Sequence, residues 1–285
     1  MTFDPEQLGR SKADLARTLR DMRRRAGRTQ VWLARRCAMS QTKLSNIETG
    51  RIIPSLVDVE LILRALDAPS ELVAEMAALA RLANTEWQGK RASWRRGLEK
   101  RQTELAGLEA EAATLRYFLP AMVTGLLATP EYIRASLGHS PVDISKTVAK
   151  KLERQAVLHD GTKRFTFLLT EQAVRWAVVP RTAMAVQIDR LISLSCLPHV
   201  RIGVIPLDTP LTRGPMNTFT VYDKRLVTAE TFTGRIVFQD ARDVAEHLEV
   251  FDLYERHAVF GDKARDLLRE WAAAYRSESL TRQRE

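Results

Sequence analysis

Cysteine is scarce in this sequence, and the features of secreted and membrane proteins are scarce as well. The 285 residues include two cysteines, Cys37 and Cys196, whose wide separation fits neither a disulfide framework nor a zinc finger. The longest charge-free apolar run, residues 117–130, contains two prolines and a glycine. A membrane span needs about 20 apolar residues, which this run does not reach. Because a secretory signal is also missing, we expect a soluble, cytoplasmic protein with no membrane association.

Recognisable catalytic motifs are missing too. The five histidines form no His-Glu-x-x-His or similar ligand pair, and neither a glycine-rich phosphate loop nor a Gly-x-Ser-x-Gly turn occurs. Glu171 and Glu230 lie near the ends of predicted strands, where catalytic acids can occur, and they are the residues on which a hydrolase or transferase activity would depend. Without a recognisable catalytic constellation, we expect no enzymatic activity, no catalytic residues, no metal and no cofactor.

Positive charge is concentrated in the first third of the chain. Lys and Arg number 44 against 35 Asp and Glu, which gives a formal net charge of +9. Residues 1–102 hold 20 basic and 12 acidic side chains, whereas residues 103–285 hold 24 and 23. Such a basic segment favours a polyanionic partner, either a nucleic acid or an anionic membrane surface. The length fits one large or two modest domains.

Residues 10–83 have the pattern of five short helices. Thr29 and Ser40 are suited to cap the second and third helices, and Gly27 and Gly50 are suited to end the first and third. A turn of about three residues joins the second and third helices, and the third carries small polar side chains on its outer face. This arrangement is what a helix-turn-helix requires, because its second helix must present amides and hydroxyls to base edges in the major groove.

Residues 14–68 resemble the phage-repressor (Xre/Cro) class of helix-turn-helix. The resemblance is carried by Thr29-Gln30, Leu33-Ala34, Ser40, the run Glu48-Thr49-Gly50-Arg51 and Pro54-Ser55, all of which fall in register. It implies base reading by Gln41, Thr42 and Asn46, with Lys43 and Ser45 beside them. It also implies phosphate contacts from Arg28, Gln30, Ser40 and Arg51. In this class the acidic residue pairs with a basic residue of the first helix, which implies a structural ion pair between Arg23 and Glu48.

One position of the turn departs from that class. Ala38 occupies a place that is usually glycine, because the backbone there has positive φ. Alanine adopts this left-handed conformation at a cost of about 1 kcal/mol. The substitution therefore leaves the motif in place, but it can tilt the third helix in the groove.

Residues 84–103 form a basic connector with two interrupting glycines. Trp87 and Trp94 lie among six Lys and Arg residues, and Gly97 is one of the glycines. A hinge with packed tryptophans is the first interpretation, and a second phosphate-contacting patch or part of a dimer interface is the other. A heptad pattern running on from Trp94 is interrupted by Arg101, and the glycines favour a hinge over a coiled coil.

Residues 104–276 have the pattern of a mixed α+β domain with a small sheet. Helices are predicted over 104–115, from Pro130, over 145–159, over 182–197 and twice after residue 243, with a loop over 119–127. Strands are predicted over 165–169, 200–205, 219–222, 226–232 and 235–238. The order strand, helix, strand over 165–205 allows a parallel pair, and Asp223-Lys224 is suited to a hairpin turn. The expected architecture is therefore an all-α five-helix domain followed by this α+β domain.

This second half resembles the C-terminal domain of antitoxin-like actinobacterial regulators of the WhiJ type. The resemblance is carried by residues 108–112, 120–132, 154–158 and 200–206, in that order and spacing. It departs from the family at Thr124, where proline is usual, and at Ala128, where glutamine is usual. The resemblance implies a transcriptional regulator whose C-terminal domain binds a small protein encoded next to it, or an effector.

Together these patterns predict a sequence-specific regulator that binds double-stranded DNA. One short helix reads only a few base pairs, so useful specificity calls for a homodimer on two half-sites. The alternative is an antitoxin that acts mainly by sequestering a small partner protein. An enzyme with a DNA-binding appendage is the third hypothesis, and it depends on Glu171 and Glu230.

Overall fold

A computed structural model describes residues 5–89, 98–138, 140 and 143–282. The chain divides into two compact units, called here the N-terminal unit (Met1–Gln88 with Ile236–Ala245) and the C-terminal unit (Gly89–Arg235 with Glu246–Glu285). The predicted domains cover 10–83 and 104–276. The second of these includes residues 236–245, which belong to the N-terminal unit in the structure. Residues 90–97 of the predicted connector, with Trp94 and Gly97, lie outside the described residues.

The N-terminal unit has the five predicted helices. They are α1 (Pro5–Arg25), α2 (Gln30–Arg36), α3 (Gln41–Glu48), α4 (Leu56–Ala65) and α5 (Ser70–Asn84), and a strand, β1 (Thr85–Gly89), follows them. Local chemistry explains where these helices begin. The hydroxyl oxygens of Thr29 and Ser40 accept hydrogen bonds from the first turns of α2 and α3, and Ser55 with Asp58 forms a capping box on α4.

A single apolar cluster holds the five helices together. It includes Leu15, Leu33, Leu44, Ile47 and Ile62, all of which are fully buried. Cys37 is buried in the same cluster, as its place on the apolar face predicts. The short helices α2 and α3 could not persist alone in water, so this burial is what keeps them folded.

Residues far along the chain complete the N-terminal unit. The carboxylate of Asp240 accepts a hydrogen bond from the backbone N–H of Leu56 at 3.1 Å, at the first residue of α4. Arg242 donates to Glu60 of α4 at 2.8 Å. A carboxylate at a helix N-terminus satisfies an unpaired N–H and complements the helix dipole, so residues 240–242 support α4.

The C-terminal unit is built from helices and strands in alternation. Its elements are α6 (Leu98–Glu111), β2 (Thr114–Leu119), α7 (Pro130–Ser136), α8 (Ser145–Arg154) with a 3-10 turn (Gln155–His159), β3 (Arg164–Thr170), α9 (Glu171–Arg175), α10 (Arg181–Leu194), β4 (Val200–Ile205), β5 (Phe219–Tyr222), β6 (Leu226–Glu230), β7 (Gly234–Phe238), α11 (Ala241–Arg256) and α12 (Gly261–Arg282). The strand β7 and the helix α11 each begin in one unit and end in the other.

The sheet of this unit is mixed. Six of its strands follow the order β7-β6-β5-β2-β3-β4. The strands β2, β3 and β4 are parallel, whereas β5 is antiparallel to β2 and β6 to β5. The predicted parallel pair and the predicted hairpin are confirmed, and Asp223 has a φ of 53° in the hairpin turn. The expected α+β class is therefore the observed one.

The prediction was wrong at the centre of the sheet. The predicted helix over 104–115 and the predicted loop over 119–127 leave no strand between them, yet residues 114–119 form β2, which pairs with β3 on one side and β5 on the other. Leu115, Phe118 and Leu119 are all buried. From Tyr117 to Leu119 the strand is buried on both faces, and a short apolar run of this kind cannot be separated by its pattern from a buried helix segment.

A buried ion pair joins α6 to α8. Glu109 Oε2 lies 3.0 Å from Arg154 Nε, and both side chains are at least nine-tenths buried. Tyr117 donates to the other carboxylate oxygen at 3.1 Å. Burial raises the pKa of Glu109 to about 7, against the opposing effects of the Arg154 charge and the Tyr117 hydrogen bond. The carboxylate is thus only partly compensated in its folded environment.

Candidate nucleic-acid interface

A tight turn sets the direction of α3 relative to α2. Cys37 ends α2, and Ala38 follows with a φ of 52°, so the alanine does adopt the left-handed conformation that the turn needs. Met39 N–H donates back to the carbonyl of Ala34 at 3.0 Å, and Ser40 returns to an extended conformation and caps α3. The two helices are joined as in a helix-turn-helix.

The polar face of α3 is open at its first turn. Gln41 and Thr42 are exposed, whereas Leu44 and Ile47 point into the core. Ser45 and Asn46 are half-buried. The amide and hydroxyl of the first two residues are therefore available to a groove, and the two later residues follow on the same helix.

Lys43 differs from the other predicted base readers. Its ammonium lies 2.7 Å from Asp58 Oδ1 of α4, in an ion pair whose side chains are 43% and 12% exposed. The carboxylate of Asp58 also accepts hydrogen bonds from the backbone and hydroxyl of Ser55. In the free protein the Lys43 charge is thus directed toward α4, and a base contact would require it to leave Asp58.

The back of α3 is fixed by a buried ion pair between Arg23 and Glu48. Arg23 donates to both carboxylate oxygens of Glu48, at 2.5 and 2.8 Å, and to the carbonyl of Arg28 at 2.8 Å. Gln30 donates its side-chain N–H to the same carboxylate at 2.8 Å. This bidentate geometry joins α1, the start of α2 and the end of α3, so it holds α3 at a fixed angle.

Protonation of the ion pair follows from these contacts. Burial acts to raise the pKa of Glu48, but the hydrogen bonds from Arg23 and Gln30 and the charge of Arg23 outweigh it and hold the pKa below its ordinary value. The hydrogen bond to Glu48 raises the pKa of Arg23. Both groups are therefore charged at neutral pH.

The predicted phosphate-contacting residues lie at or beside the ends of α2 and α3. The guanidinium of Arg28 stacks over the ring of Trp32 at 4.4 Å. Arg51 is exposed just after α3, and its backbone N–H donates to Asn46 at 2.9 Å. The Ser40 hydroxyl caps α3, and Gln30 is engaged with Glu48. The side chains of Arg28 and Gln30 are thus pre-ordered, and other exposed basic residues lie nearby in sequence: Arg24, Arg25, Arg35 and Arg36.

Two residues of this site were not singled out from the sequence. Trp32 lies in the first turn of α2, and Arg28 lies just before the cap residue Thr29, so their contact is set by the path of the chain into the helix. Asp58 is the fourth residue of Ser55-x-x-Asp58, which is a capping-box pattern. The capping-box pattern was present in the sequence, but the ion pair between Asp58 and Lys43 depends on how α3 packs beside α4.

Glu171 and Glu230, on which the enzyme hypothesis depends, both make structural contacts. Glu171 forms an ion pair with Arg175 one helical turn away, and its second oxygen accepts the backbone N–H of Leu207 at 3.1 Å. Glu230 ends β6, and its backbone N–H donates to the carbonyl of Thr218 at 2.9 Å. Among the residues that the structure describes, no group of three or more His, Cys, Asp or Glu side chains is placed to hold a metal.

The fold and the site define a protein with a helix-turn-helix domain, the domain class of DNA-binding regulators. Residues 14–76 match a family described as a helix-turn-helix domain. Residues 102–270 match a family described as a domain of unknown function, DUF5753. Because this second match spans more than half of the chain, the protein belongs to the DUF5753 family. No curated protein matches the sequence.

Similarity to solved structures is weak. One is a phospholipase D family member, Nuc from Salmonella typhimurium, with 6% identity, a TM-score of 0.34, and coverage of 56% of this chain and 90% of that one. Another is TrmBL2, an archaeal chromatin protein, with 15% identity, a TM-score of 0.32, and coverage of 66% of this chain and 59% of that one. Scores this low bear on neither fold nor function. Within the described part of the chain, no helix combines the length and apolarity that a membrane span requires.

Proposed function

We propose that this protein is a sequence-specific, DNA-binding transcriptional regulator of the cytoplasm, with no enzymatic activity. The observation that carries the proposal is the open first turn of α3, where Gln41 and Thr42 are exposed while Arg23 and Glu48 fix the helix from behind. Glutamine and threonine suit adenine edges and thymine methyl groups. A base-reading helix needs both an accessible face and a fixed position, and α3 has both.

The proposal divides the DNA contacts into two classes. Gln41, Thr42, Ser45 and Asn46 read bases, with Lys43 joining them after release from Asp58. Arg28, Gln30, Ser40 and Arg51 contact phosphates, which position the domain without reading sequence. The protein acts as a homodimer on two half-sites, because α3 alone spans only a few base pairs. The C-terminal unit senses a small partner protein or an effector.

The test is a footprint and gel-shift series on DNA upstream of the protein's own gene. Changing Gln41 and Asn46 together to alanine should abolish the preference for the operator while leaving non-specific binding in place. Arg51→Ala should weaken binding to all sequences alike and reduce the salt slope by about 1. Gln172→Ala, at an exposed position of the C-terminal unit, is the control. Retention of the full base preference by the double variant would overturn the assignment of the readers.

A second candidate function, sequestration of a small partner protein, is favoured by one edge of the C-terminal sheet. The parallel strands β2, β3 and β4 end at this edge, β5 begins there and β6 ends there. The segments that leave it carry large exposed apolar side chains: Met122, Trp176, Leu207, Met216 and Phe232, which are 39–98% exposed. Exposed apolar side chains concentrated in this way are typical of protein-binding surfaces.

Co-purification of the full chain with the product of the adjacent gene tests this candidate. Met216→Asp and Phe232→Asp should abolish the complex, because a charge on an apolar interface must be desolvated. Val186→Asp is the matched control, since Val186 is 56% exposed on α10 and lies outside these segments. Retention of the complex by both edge variants would exclude this edge as the binding surface.

A further inference from the structure

A cavity of about 520 Å³ lies beside β4, the last strand of the C-terminal sheet. Three segments line it: residues 195–198 after α10, residues 200–202 of β4, and residues 260–261 with Arg265 at the start of α12. Its volume falls within the range of about 300–1,000 Å³ that small-molecule sites occupy. The DNA contacts proposed above involve none of these residues.

The walls of the cavity are apolar. Leu197, Pro198, Val200, Ile202 and Phe260 are among the residues that line it. Gly203 allows the Phe260 ring to lie directly on the strand, because a Cβ at this position would come within 2.6 Å of two ring carbons. The ring is thus held against the strand, where its carbon atoms form part of the apolar cavity wall.

The charged residues that line the cavity are both cationic. The guanidinium of Arg201 stacks over the Phe260 ring at 4.5 Å and pairs with Glu255 at 2.6 Å. Arg265 is only 21% exposed and pairs with Asp262 at 2.7 Å. Asp262 itself is 90% exposed, so water screens this pair and a competing carboxylate can replace it at little cost.

We propose that this cavity binds a small organic anion, namely a monocarboxylate with an apolar or aromatic body. The body contacts the apolar walls, and the carboxylate accepts a bidentate pair of hydrogen bonds from Arg265 in place of Asp262. The N-terminus of α12 lies at the same end of the cavity and favours negative charge there. Regulation of DNA binding by this ligand rests on the function proposed above, whereas binding of the ligand does not.

Cys196 provides a reporter for occupancy. It is exposed and lines the cavity, whereas Cys37, the other cysteine of the chain, is buried. Reaction of the native full-length protein with an uncharged thiol reagent such as 4,4′-dithiodipyridine should therefore show one fast thiol, and Cys196→Ser should remove it. The probes are benzoate, phenylacetate and indole-3-acetate, each paired with its neutral amide, together with inorganic phosphate.

At least one of these carboxylates should slow the Cys196 reaction in a saturable manner, and its amide and phosphate should not. Arg265→Gln should weaken that protection at least tenfold. Arg269→Gln is the matched control, because Arg269 lies one turn further along α12 in an exposed i,i+3 pair with Asp266, outside the cavity. The affinity of the Arg269→Gln protein for that carboxylate should stay within twofold of the wild-type value. Circular dichroism of each variant checks folding.

Three outcomes would overturn the proposal. They are an absence of saturable protection by any carboxylate, equal protection by an amide or by phosphate, and equal effects of the Arg265 and Arg269 substitutions. The thiol assay contains no DNA, so it is independent of the footprint experiment. If the protein binds a carboxylate probe but no operator, only the proposed function is refuted. If it binds its operator but no carboxylate probe, only the proposed ligand site is refuted.

Discussion

Replacing Arg23 with methionine should destabilise the N-terminal unit severely. The Glu48 side chain is 1% exposed and the Arg23 side chain 11%, so the substitution leaves a buried carboxylate with Gln30 as its remaining side-chain donor. Removing one partner of a buried pair costs about 3–5 kcal/mol. This is a large part of the roughly 5–15 kcal/mol that stabilises a typical domain. At about 4–8 °C per kcal/mol for a domain of this size, the melting temperature should fall by at least about 12 °C.

Calorimetry of the full chain measures this loss, and hydrogen exchange of the α3 amides assigns it to the N-terminal unit. Arg17→Met is the control, because it applies the same substitution to the same helix. Arg17 lies 3.5 Å from Asp14, and both side chains are more than half exposed. Such a pair contributes at most about 0.5 kcal/mol. Equal destabilisation by the two substitutions would refute the role assigned to the buried pair.

The pH dependence separates the lost charge pair from lost packing. The pKa of Glu48 is lower in the folded than in the unfolded protein, so its contribution is complete above the unfolded value of about 4.3 and is lost as the pH falls through the folded value. In Arg23→Met the burial of Glu48 remains while its main donor is gone, and its pKa should rise. The stability gap between wild type and variant should therefore narrow as the pH falls, first above about pH 4.3 as Glu48 of the variant is protonated, and then below it as Glu48 of the wild type is protonated. A gap that stays constant from pH 7 to pH 3 would assign the loss to packing instead.

Three further predictions concern single positions. Ala38→Gly should stabilise the N-terminal unit by up to about 1 kcal/mol in denaturant unfolding, because glycine relieves the positive φ. Gly203→Ala should destabilise the C-terminal unit by about 1–3 kcal/mol through its clash with Phe260, whereas Gly161→Ala, which meets nothing within 4 Å, should change stability by less than about 0.5 kcal/mol. The pKa of Glu109 is higher in the folded than in the unfolded protein, so the folded state binds a proton that the unfolded state has lost between about pH 4.5 and pH 7. In urea titrations, the free energy of unfolding of the wild type relative to Glu109→Gln should therefore fall by up to about 3 kcal/mol as the pH rises from 4.5 to 7. A difference that does not change with pH would contradict the raised pKa of Glu109.

The helix-turn-helix was predictable because its determinants are local. Thr29 and Ser40 lie within three residues of the N–H groups that they cap, and the positive φ of Ala38 belongs to the turn itself. The expected Arg23–Glu48 contact came from a resemblance rather than from spacing, since the two residues are 25 positions apart. Local signals thus define the helices, and the contacts that orient them depend on packing.

The parts that sequence reasoning missed depend on distant partners. Residues 114–119 become a central strand because β3 and β5 flank them, and these strands lie about 50 and 100 residues further along. Asp240 contacts the first residue of α4, which lies 184 positions earlier in the sequence. The local pattern of apolar residues therefore does not indicate that Asp240 belongs to the N-terminal unit. In both cases the deciding interaction is a tertiary hydrogen bond, which a single sequence does not encode in its spacing.

Lys43 shows how such packing bears on recognition. Its spacing on α3 predicts an outward, cationic side chain, but Asp58 of α4 takes that charge at 2.7 Å. Because the Lys43 side chain is 43% exposed, the pair is partly screened by water and contributes about 1 kcal/mol or less. A bidentate or charged contact to a guanine edge is worth about 1–3 kcal/mol of discrimination. Under the proposed function, guanine at the position that Lys43 reaches would draw it away from Asp58 more effectively than other bases, so the ion pair would sharpen base preference at the expense of affinity.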